Sequence, residues 1–320
     1  MNQPDYRQLL DAEVWAYIAR SEAFYPPDAV SLTIAEQRAV YDRMCADFHR
    51  GHPAGVQSCD ERHGGVKCRR YELADTEAES EVGATVIYYH GGGFVVGGLE
   101  SHDDICAEIC KETGYRVISV DYALAPEVVF PGCYEDAWAA FAAIAQGFAG
   151  PIVLAGDSAG GNLAAAVAHE ARSQLSGRIV GQVLIYPGLG GDWGQGSYVT
   201  HADAPQLSVT DLEFYQQTRT GGALPPEGDA RFAPLQDVDF SGLPPSVIFT
   251  AECDPLSSDG ETYRNAVIAA GGRALWIEEQ GLVHGYLRAR VMSARAATSF
   301  ARIVAAVSAL GRGDWDSLAG

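Results

Sequence analysis

The sequence has very little lysine, no cysteine pair at a recognised motif spacing and no long apolar run. Lysine occurs only at Lys67 and Lys111, and 42 acidic against 22 basic residues give a net charge of −20. A surface this acidic repels the phosphates of nucleic acids and anionic lipid headgroups. We therefore expect neither nucleic acid nor a membrane as partner, and a small neutral substrate fits the charge better.

The chain also lacks the signals of secretion and of membrane insertion. Its start has no basic stretch followed by an apolar block, and no apolar run approaches the length that crosses a bilayer. The seven cysteines are an odd number and are scattered, which favours reduced thiols over a disulfide framework. These features predict a cytoplasmic protein.

One group of cysteines and histidines lies close enough in sequence to be tested as a metal site. Its members are Cys45, His49, His52, Cys59, His63 and Cys68. Zinc sites usually combine two pairs of closely spaced ligands, and only His49 and His52 come near such a spacing. We predict that no metal binds here.

Apolar, β-prone runs alternate with helical patterns along most of the chain. The runs lie at 84–89, 115–120, 151–155, 179–186, 246–250 and 274–277. Residues 66–73 alternate as an edge or near-edge strand does, and a last helix is predicted at 290–310. Regular alternation of this kind predicts an α/β fold with a mostly parallel central sheet and helices on both faces.

Two segments interrupt this alternation. Residues 1–50 show helical periodicity, and residues 188–245 contain one helical pattern but no strand. Long insertions in a regular sheet are usually functional, so we expect both segments to form a cap over a core built from 51–187 and 246–320. Its aromatic residues would line a substrate pocket or form the core of the cap: Trp193, Tyr198, Phe214 and Tyr215.

The stretch Gly156-Asp157-Ser158-Ala159-Gly160 joins a buried strand to a helix. Glycines two residues before and after the serine allow the chain to turn sharply without side-chain collision. The hydroxyl of Ser158 is then exposed at the carboxyl edge of the sheet, beside the N–H groups of a helix start. An ordinary turn with a serine cap explains the pentapeptide alone equally well, so its context decides.

Further polar residues follow other predicted strands and should reach the same edge. A glycine loop, Gly91 to Gly93, follows the strand at 84–89. The N–H groups of Gly91, Gly92 and Gly93, with that of Ala159, can form an oxyanion hole. The loops that follow the last two strands contain Asp254 and His284.

These residues provide the parts of a nucleophilic site. His284 can take the proton of Ser158 and return it to a leaving group, while Asp254 orients the imidazole. Asp157 and Asp259 are alternative acids, but Asp254 ends a strand. Other histidines are weaker candidates for the base: we expect His90 to brace the glycine loop and His102 to lie at a helix start.

The ordered motifs resemble those of hormone-sensitive-lipase-type bacterial carboxylesterases, and especially their acetyl esterases. They are His90-Gly-Gly-Gly-Phe94, Asp121-Tyr-Ala-Leu-Ala-Pro-Glu127, Gly156-Asp-Ser-Ala-Gly160, Asp254-Pro-Leu256 and His284-Gly285. The resemblance covers most of the chain and implies an α/β-hydrolase with a helical cap, no cofactor, hydrolysis of short-chain acyl esters and a possible homodimer. Where the family commonly has arginine, this chain has Ala123, which puts a structural ion pair in doubt.

Two other functions remain open at this stage. An amidase or aryl-formamide hydrolase can use the same triad and oxyanion hole. A small-molecule receptor of the same fold usually lacks one member of the triad, and here Ser158, Asp254 and His284 are all present. We therefore expect a serine carboxylesterase acting on acyl groups from acetyl to about hexanoyl.

Overall fold

We describe a computed structural model of the protein over residues 4–26, 32–74, 83–175 and 177–318. The strands are β1 (Val56–His63), β2 (Val66–Leu73), β3 (Thr85–Tyr89), β4 (Arg116–Val120), β5 (Ile152–Asp157), β6 (Ile179–Ile185), β7 (Ser246–Cys253) and β8 (Ala274–Val283). The helices are α1 (Tyr6–Leu9), α2 (Ala12–Glu22), α3 (Ile34–Phe48), α4 (Asp103–Thr113), α5 (Gly132–Gly147), α6 (Ala159–Gln174), α7 (Ser197–Thr200), α8 (Val209–Thr220), α9 (Ser257–Ala269) and α10 (Ala294–Gly311).

The eight strands in the described ranges form one sheet in the order β1-β2-β4-β3-β5-β6-β7-β8. β2 pairs antiparallel with both β1 and β4, and every pairing from β4 to β8 is parallel. The predicted mostly parallel sheet is confirmed. Because parallel strands share a direction, the loops after β3, β5, β7 and β8 leave the sheet at the same edge.

The sheet is buried on both faces, as the continuous apolar runs predicted. On β3, Val86 and Tyr88 belong to a core cluster that also contains residues of α4 and α10. Ile87 and Tyr89 belong to the opposite cluster, with residues of α5, α6 and α9. Successive residues of this strand therefore supply two hydrophobic cores, which hold it rigidly behind the glycine loop.

The first strand, β1, was not predicted from the sequence. It pairs with β2 along its whole length, and most of its side chains are exposed. An edge strand whose side chains are mostly polar and exposed has no apolar alternation to reveal it. β2 is therefore the near-edge strand that the alternation at 66–73 predicted.

Near the carboxyl end of the chain, both strands are longer than the sequence predicted. β7 continues to Cys253 and β8 to Val283, so Asp254 and His284 each follow directly after a strand. The predicted helix at 290–310 is partly wrong. A 3-10 helix covers Tyr286–Val291, and α10 begins only after Ser293, whose hydroxyl accepts the N–H of Ala296.

The N-terminal helices share the main hydrophobic core. Val14 and Phe48 are buried in the same cluster as residues of the sheet. The hydroxyl of Tyr17 donates to the carbonyl of Gly285, at 2.9 Å, which ties α2 to the loop after β8. Of the segment predicted as 1–50, residues 1–3 and 27–31 lie outside the described part of the chain.

The segment between β6 and β7 has no strand in residues 186–245, all of which the structure describes. It contains α7, α8 and a 3-10 turn at Pro234–Gln236.

All seven cysteines are unpaired, and only Cys59 is exposed. Within the described ranges, every helix is too short or too polar to traverse a bilayer.

Candidate active site

Ser158 lies in the sharp turn between β5 and α6, with φ 54° and ψ −118°. Few residues with a side chain adopt a positive φ, and the cost is sustained only by rigid surroundings. Those surroundings are close backbone contacts: a Cβ at Gly160 would lie 1.9 Å from the carbonyl oxygen of Tyr89, and a Cβ at Gly156 would lie 2.4 Å from Gly160. Only glycines fit at these two positions, so the turn holds its serine firmly at the sheet edge.

The structure brings the predicted serine, histidine and aspartate into one row. Nε2 of His284 lies 2.9 Å from Oγ of Ser158, and Nδ1 lies 2.7 Å from Oδ2 of Asp254. Asp254 is fully buried, and its Oδ1 accepts the N–H of Leu256 at 2.9 Å. The ring of Tyr186 packs edge-on against the imidazole at 4.8 Å. The imidazole is thus held between a proton donor and a buried acceptor.

The glycine loop divides into two parts with different contacts. The N–H of Gly91 donates to Oδ1 of Asp157 at 3.0 Å, so it is not available to a ligand. This differs from the expectation that Gly91 contributes to an oxyanion hole. Gly92, Gly93 and Ala159 all line the cavity in front of Ser158, and their N–H groups have no acceptor among the described residues.

Asp157, one of the two alternative acids, anchors the glycine loop and does not touch His284. Besides Gly91, it accepts the hydroxyl of Tyr88 at 2.8 Å, and His102 approaches it at 3.2 Å. Burial alone would raise the pKa of Asp157, but the neighbouring His102 and Tyr88 hold it well below its usual range. Its role in this structure is to hold the loop in place through an ionised carboxylate.

The two histidines behind the glycine loop are buried and lie outside the row. His102 immediately precedes α4 and contacts Asp157, while His90 stacks on Tyr122 at 4.3 Å. Nδ1 of His90 lies 2.8 Å from the carbonyl of Gly91, which braces the loop. Burial lowers the pKa of His90 to about 3, so its imidazole is neutral.

Asp259, the other alternative acid, supports a different loop. Its Oδ2 accepts the N–H groups of Leu189 and Gly190 at 2.7 and 3.1 Å and the hydroxyl of Tyr198 at 3.0 Å. Burial raises its pKa to about 7. These contacts connect α9 to the segment after β6, and His284 is not among them.

A cavity of about 400 Å³ lies in front of Ser158. It is lined by the N-terminal helices, the segment after β6 and the glycine loop, including Tyr17, Trp193, Tyr198 and Tyr215. Phe214 does not line it and is 38% exposed. Of the four aromatics named from the sequence, three face the cavity and the fourth faces outward.

An ion pair that the sequence did not predict joins Arg38 to Glu127, in the motif that contains Ala123. Both amino groups of Arg38, on α3, donate to the carboxylate of Glu127, at 2.8 and 2.7 Å. Arg38 also donates to the carbonyls of Val95 and Ala125. The N-terminal helices therefore supply an ion-pair partner to the motif that contains Ala123, from a position with no local sequence signal.

The cysteine and histidine group is spread over several elements. His49 and His52 both contact Oδ2 of Asp103, at 3.1 and 2.6 Å, and Cys45 and Cys68 are buried in different core clusters. Among the residues that the structure describes, no three histidine, cysteine or acidic side chains could jointly hold a metal ion. The two histidines serve as partners of a carboxylate here.

Residues 86–288 match the family model described as alpha/beta hydrolase fold. The chain therefore belongs to this family, as a bacterial carboxylic ester hydrolase of the hormone-sensitive-lipase type. Esterase LipI of Mycobacterium tuberculosis is 39% identical over 217 residues, 66% of this chain and 67% of the relative. Ethyl acetate hydrolase of Pseudomonas putida is 36% identical over 216 residues, 64% of this chain and 67% of the relative.

Solved structures show the same likeness over nearly the whole chain. The ester-hydrolase EH1AB1 from the metagenome of Lake Arreo superposes with a TM-score of 0.83 at 30% identity. The superposition covers 95% of this chain and 99% of that one. The predicted α/β-hydrolase fold is thereby confirmed, together with the predicted class of enzyme.

Proposed function

We propose that the protein hydrolyses short-chain acyl esters through a covalent intermediate on Ser158. The row of contacts from Ser158 through His284 to Asp254, at 2.9 and 2.7 Å, carries this proposal. Oγ attacks the ester carbonyl carbon while Nε2 of His284 takes its proton. The proton then passes to the leaving alcohol oxygen as the C–O bond breaks, and the acyl group stays on the serine.

The second half of the reaction reverses these roles with water. Water gives a proton to His284, its oxygen attacks the acyl carbon, and the bond to Ser158 breaks as Oγ regains the proton. In both tetrahedral intermediates the negative oxygen would be stabilised by the N–H groups of Gly92, Gly93 and Ala159. Loss of one such donor typically costs about 10²- to 10³-fold in kcat.

Two observations support short acyl groups. The cavity has a volume of about 400 Å³ and is bounded by aromatic side chains of the proposed cap, which consists of 1–50 and 188–245. A related enzyme is named for its action on ethyl acetate. We therefore propose acyl groups from acetyl to about hexanoyl.

Unpaired thiols throughout the chain favour the cytoplasm as the compartment.

The test combines a substrate series with one labelling experiment. Initial rates on p-nitrophenyl esters of increasing acyl length should peak below eight carbons and vanish in Ser158→Ala. An organophosphonate should label the wild type and not that variant. Ser173→Ala, at the exposed end of the same helix, is the control and should keep full activity.

Three results would decide between this function and its alternatives. A rate maximum at eight carbons or more would contradict the short-chain proposal. Faster cleavage of an anilide than of its matched ester would favour an amidase. Absence of both turnover and phosphonate labelling in the folded wild type would favour a small-molecule receptor.

A further inference from the structure

The cavity contains a buried arginine that the proposed reaction does not use. Arg219 lies near the end of α8, is 4% exposed and lines the cavity. Its guanidinium lies between the rings of Phe94 and Phe232, 3.7 and 4.1 Å from their centroids. Guanidinium groups stay protonated in proteins, so a positive charge lies within the wall of the cavity.

Asp229 attracts this charge from a distance, but no described carboxylate forms a direct ion pair with it. One amino group donates to the carbonyl of Phe232 at 3.1 Å, the other is 3.4 Å from Oδ1 of Asn162, and the Cys133 thiol lies beside the guanidinium. Nε is buried and has no acceptor, and no described carboxylate lies within 4.0 Å of the group. Burial lowers the pKa of Arg219, in the direction expected for a charge removed from water.

Such an arrangement is costly unless something compensates it. Burial of a charge without a direct ion-pair partner is unfavourable, and contacts with aromatic faces and carbonyls recover only part of the lost hydration. A packing role alone would be met at lower cost by an apolar side chain between two phenylalanines. An anion in the cavity beside the guanidinium would supply the direct counter-charge that the described residues do not.

The position of Arg219 indicates which part of an ester would meet it. Asn162, which it contacts, lies one helical turn beyond Ser158 on α6, about 6 Å along the helix axis. The leaving alcohol must lie next to His284, whereas the contacts of Arg219 are with Phe94, Phe232 and Asn162, near the glycine loop and α6. An acyl chain that extends from Ser158 along α6 would approach Arg219.

We propose that Arg219 binds a terminal carboxylate on the acyl group, so that preferred substrates are monoesters of short dicarboxylic acids. This inference rests on the proposed function and extends its substrate class from neutral to anionic esters. The expectation of a neutral substrate came from the charge of the whole chain, which does not describe the interior of the cavity. Acidic residues that line the cavity and are exposed, Glu22 and Asp211, oppose entry of an anion. Measurements therefore need a fixed, physiological ionic strength.

A second buried arginine in the cavity, Arg288, is the alternative partner for an anionic substrate. Arg288 lies four residues after His284 and donates to the hydroxyl of Tyr41 at 2.6 Å and the carbonyl of Ser101 at 3.3 Å. It belongs to the 3-10 helix that follows His284, beside which the leaving alcohol must lie, and all its buried nitrogens have partners. A carboxylate on the alcohol, as in acetylated glycolate, would report on Arg288 instead of Arg219.

The kinetic test uses two substrates of the same shape. Methyl hydrogen succinate has a terminal carboxylate, and methyl succinamate has a neutral amide in its place. The ratio of their kcat/KM values should exceed one in the wild type and fall about tenfold or more in Arg219→Met, with Arg219→Lys between. Arg231→Met, which removes an exposed arginine outside the cavity lining, is the matched control and should leave the ratio unchanged.

A binding measurement separates this inference from the proposed function. Calorimetry on Ser158→Ala should show tighter binding of methyl hydrogen succinate than of methyl succinamate, and the difference should disappear when Arg219→Met is added. If this holds but the wild type hydrolyses no ester, only the proposed function is wrong.

Other outcomes overturn the inference itself. Ser158-dependent hydrolysis with a wild-type ratio at or below one would do so, as would a ratio that Arg219→Met leaves unchanged. A preference confined to acetylated glycolate would assign the anion to the alcohol side and contradict the role of Arg219. If Arg219→Met does not fold, the wild-type ratio and that of Arg219→Lys decide.

Discussion

Replacing Asp254 by asparagine tests the proton path with almost no change in shape. Oδ1 of Asp254 accepts the N–H of Leu256 at 2.9 Å, and Oδ2 accepts Nδ1–H of His284 at 2.7 Å. In Asp254→Asn the amide oxygen must keep facing the N–H of Leu256, because two donors would otherwise meet. The amide nitrogen then donates to Nδ1 of His284, which places the ring proton on Nε2, facing Ser158.

An imidazole with its proton on Nε2 cannot accept the hydroxyl proton of Ser158. We therefore expect kcat to fall about 10⁴-fold, equivalent to about 5.5 kcal/mol in the activation free energy. The assay is kcat on p-nitrophenyl butyrate, with thermal unfolding to show that the variant is folded. Asp259→Asn changes another buried carboxyl that does not contact His284, and its kcat should stay within a few fold. A loss below about tenfold in Asp254→Asn would refute the assigned proton path.

Two further predictions concern stability. Asp259 has a pKa of about 7 in the folded protein and near 4 in the unfolded chain, so the free energy of unfolding should fall as the pH rises from 4 to 7. In urea titrations across this range Asp259→Asn should lessen the fall by up to about 4 kcal/mol. Parallel plots of the free energy of unfolding against pH for the wild type and the variant would show that this carboxyl does not titrate. Gly160→Ala drives a Cβ against the carbonyl of Tyr89, so it should lose at least about 3 kcal/mol or fail to fold. In Gly161→Ala the closest contact is the side chain of Pro187, at 2.8 Å, and the loss in the same assay should be smaller; equal losses would contradict the role of the backbone contact.

Interior elements were predictable from the sequence because burial on both faces leaves a continuous apolar run. β3 is of this type, with every residue buried. β1 was not predictable, since an edge strand needs only backbone partners and its side chains, such as Gln57 and Asp60, remain polar. The start of α10 was misjudged because the helical pattern in the sequence continues through the preceding 3-10 helix.

The candidate site divides in the same way. Ser158, Asp254 and His284 could be named because each follows a predicted strand, and strand ends converge at one edge. Two contacts could not be predicted because they join segments far apart in sequence. They are the hydrogen bond from the N–H of Gly91 to Asp157 and the ion pair of Arg38 with Glu127. Periodicity and motif spacing contain no information about such contacts.

The hydrogen bond from Tyr17 to Gly285 links substrate fit to proton transfer. Tyr17 lines the cavity, and its hydroxyl supports the backbone next to His284. Mutagenesis that trims this side chain to admit bulkier esters would also free the base to shift, so any gain in substrate range would come with slower turnover. Attempts to redesign the selectivity of this enzyme should therefore begin at cavity walls that have no contact with the loop after β8, which contains His284.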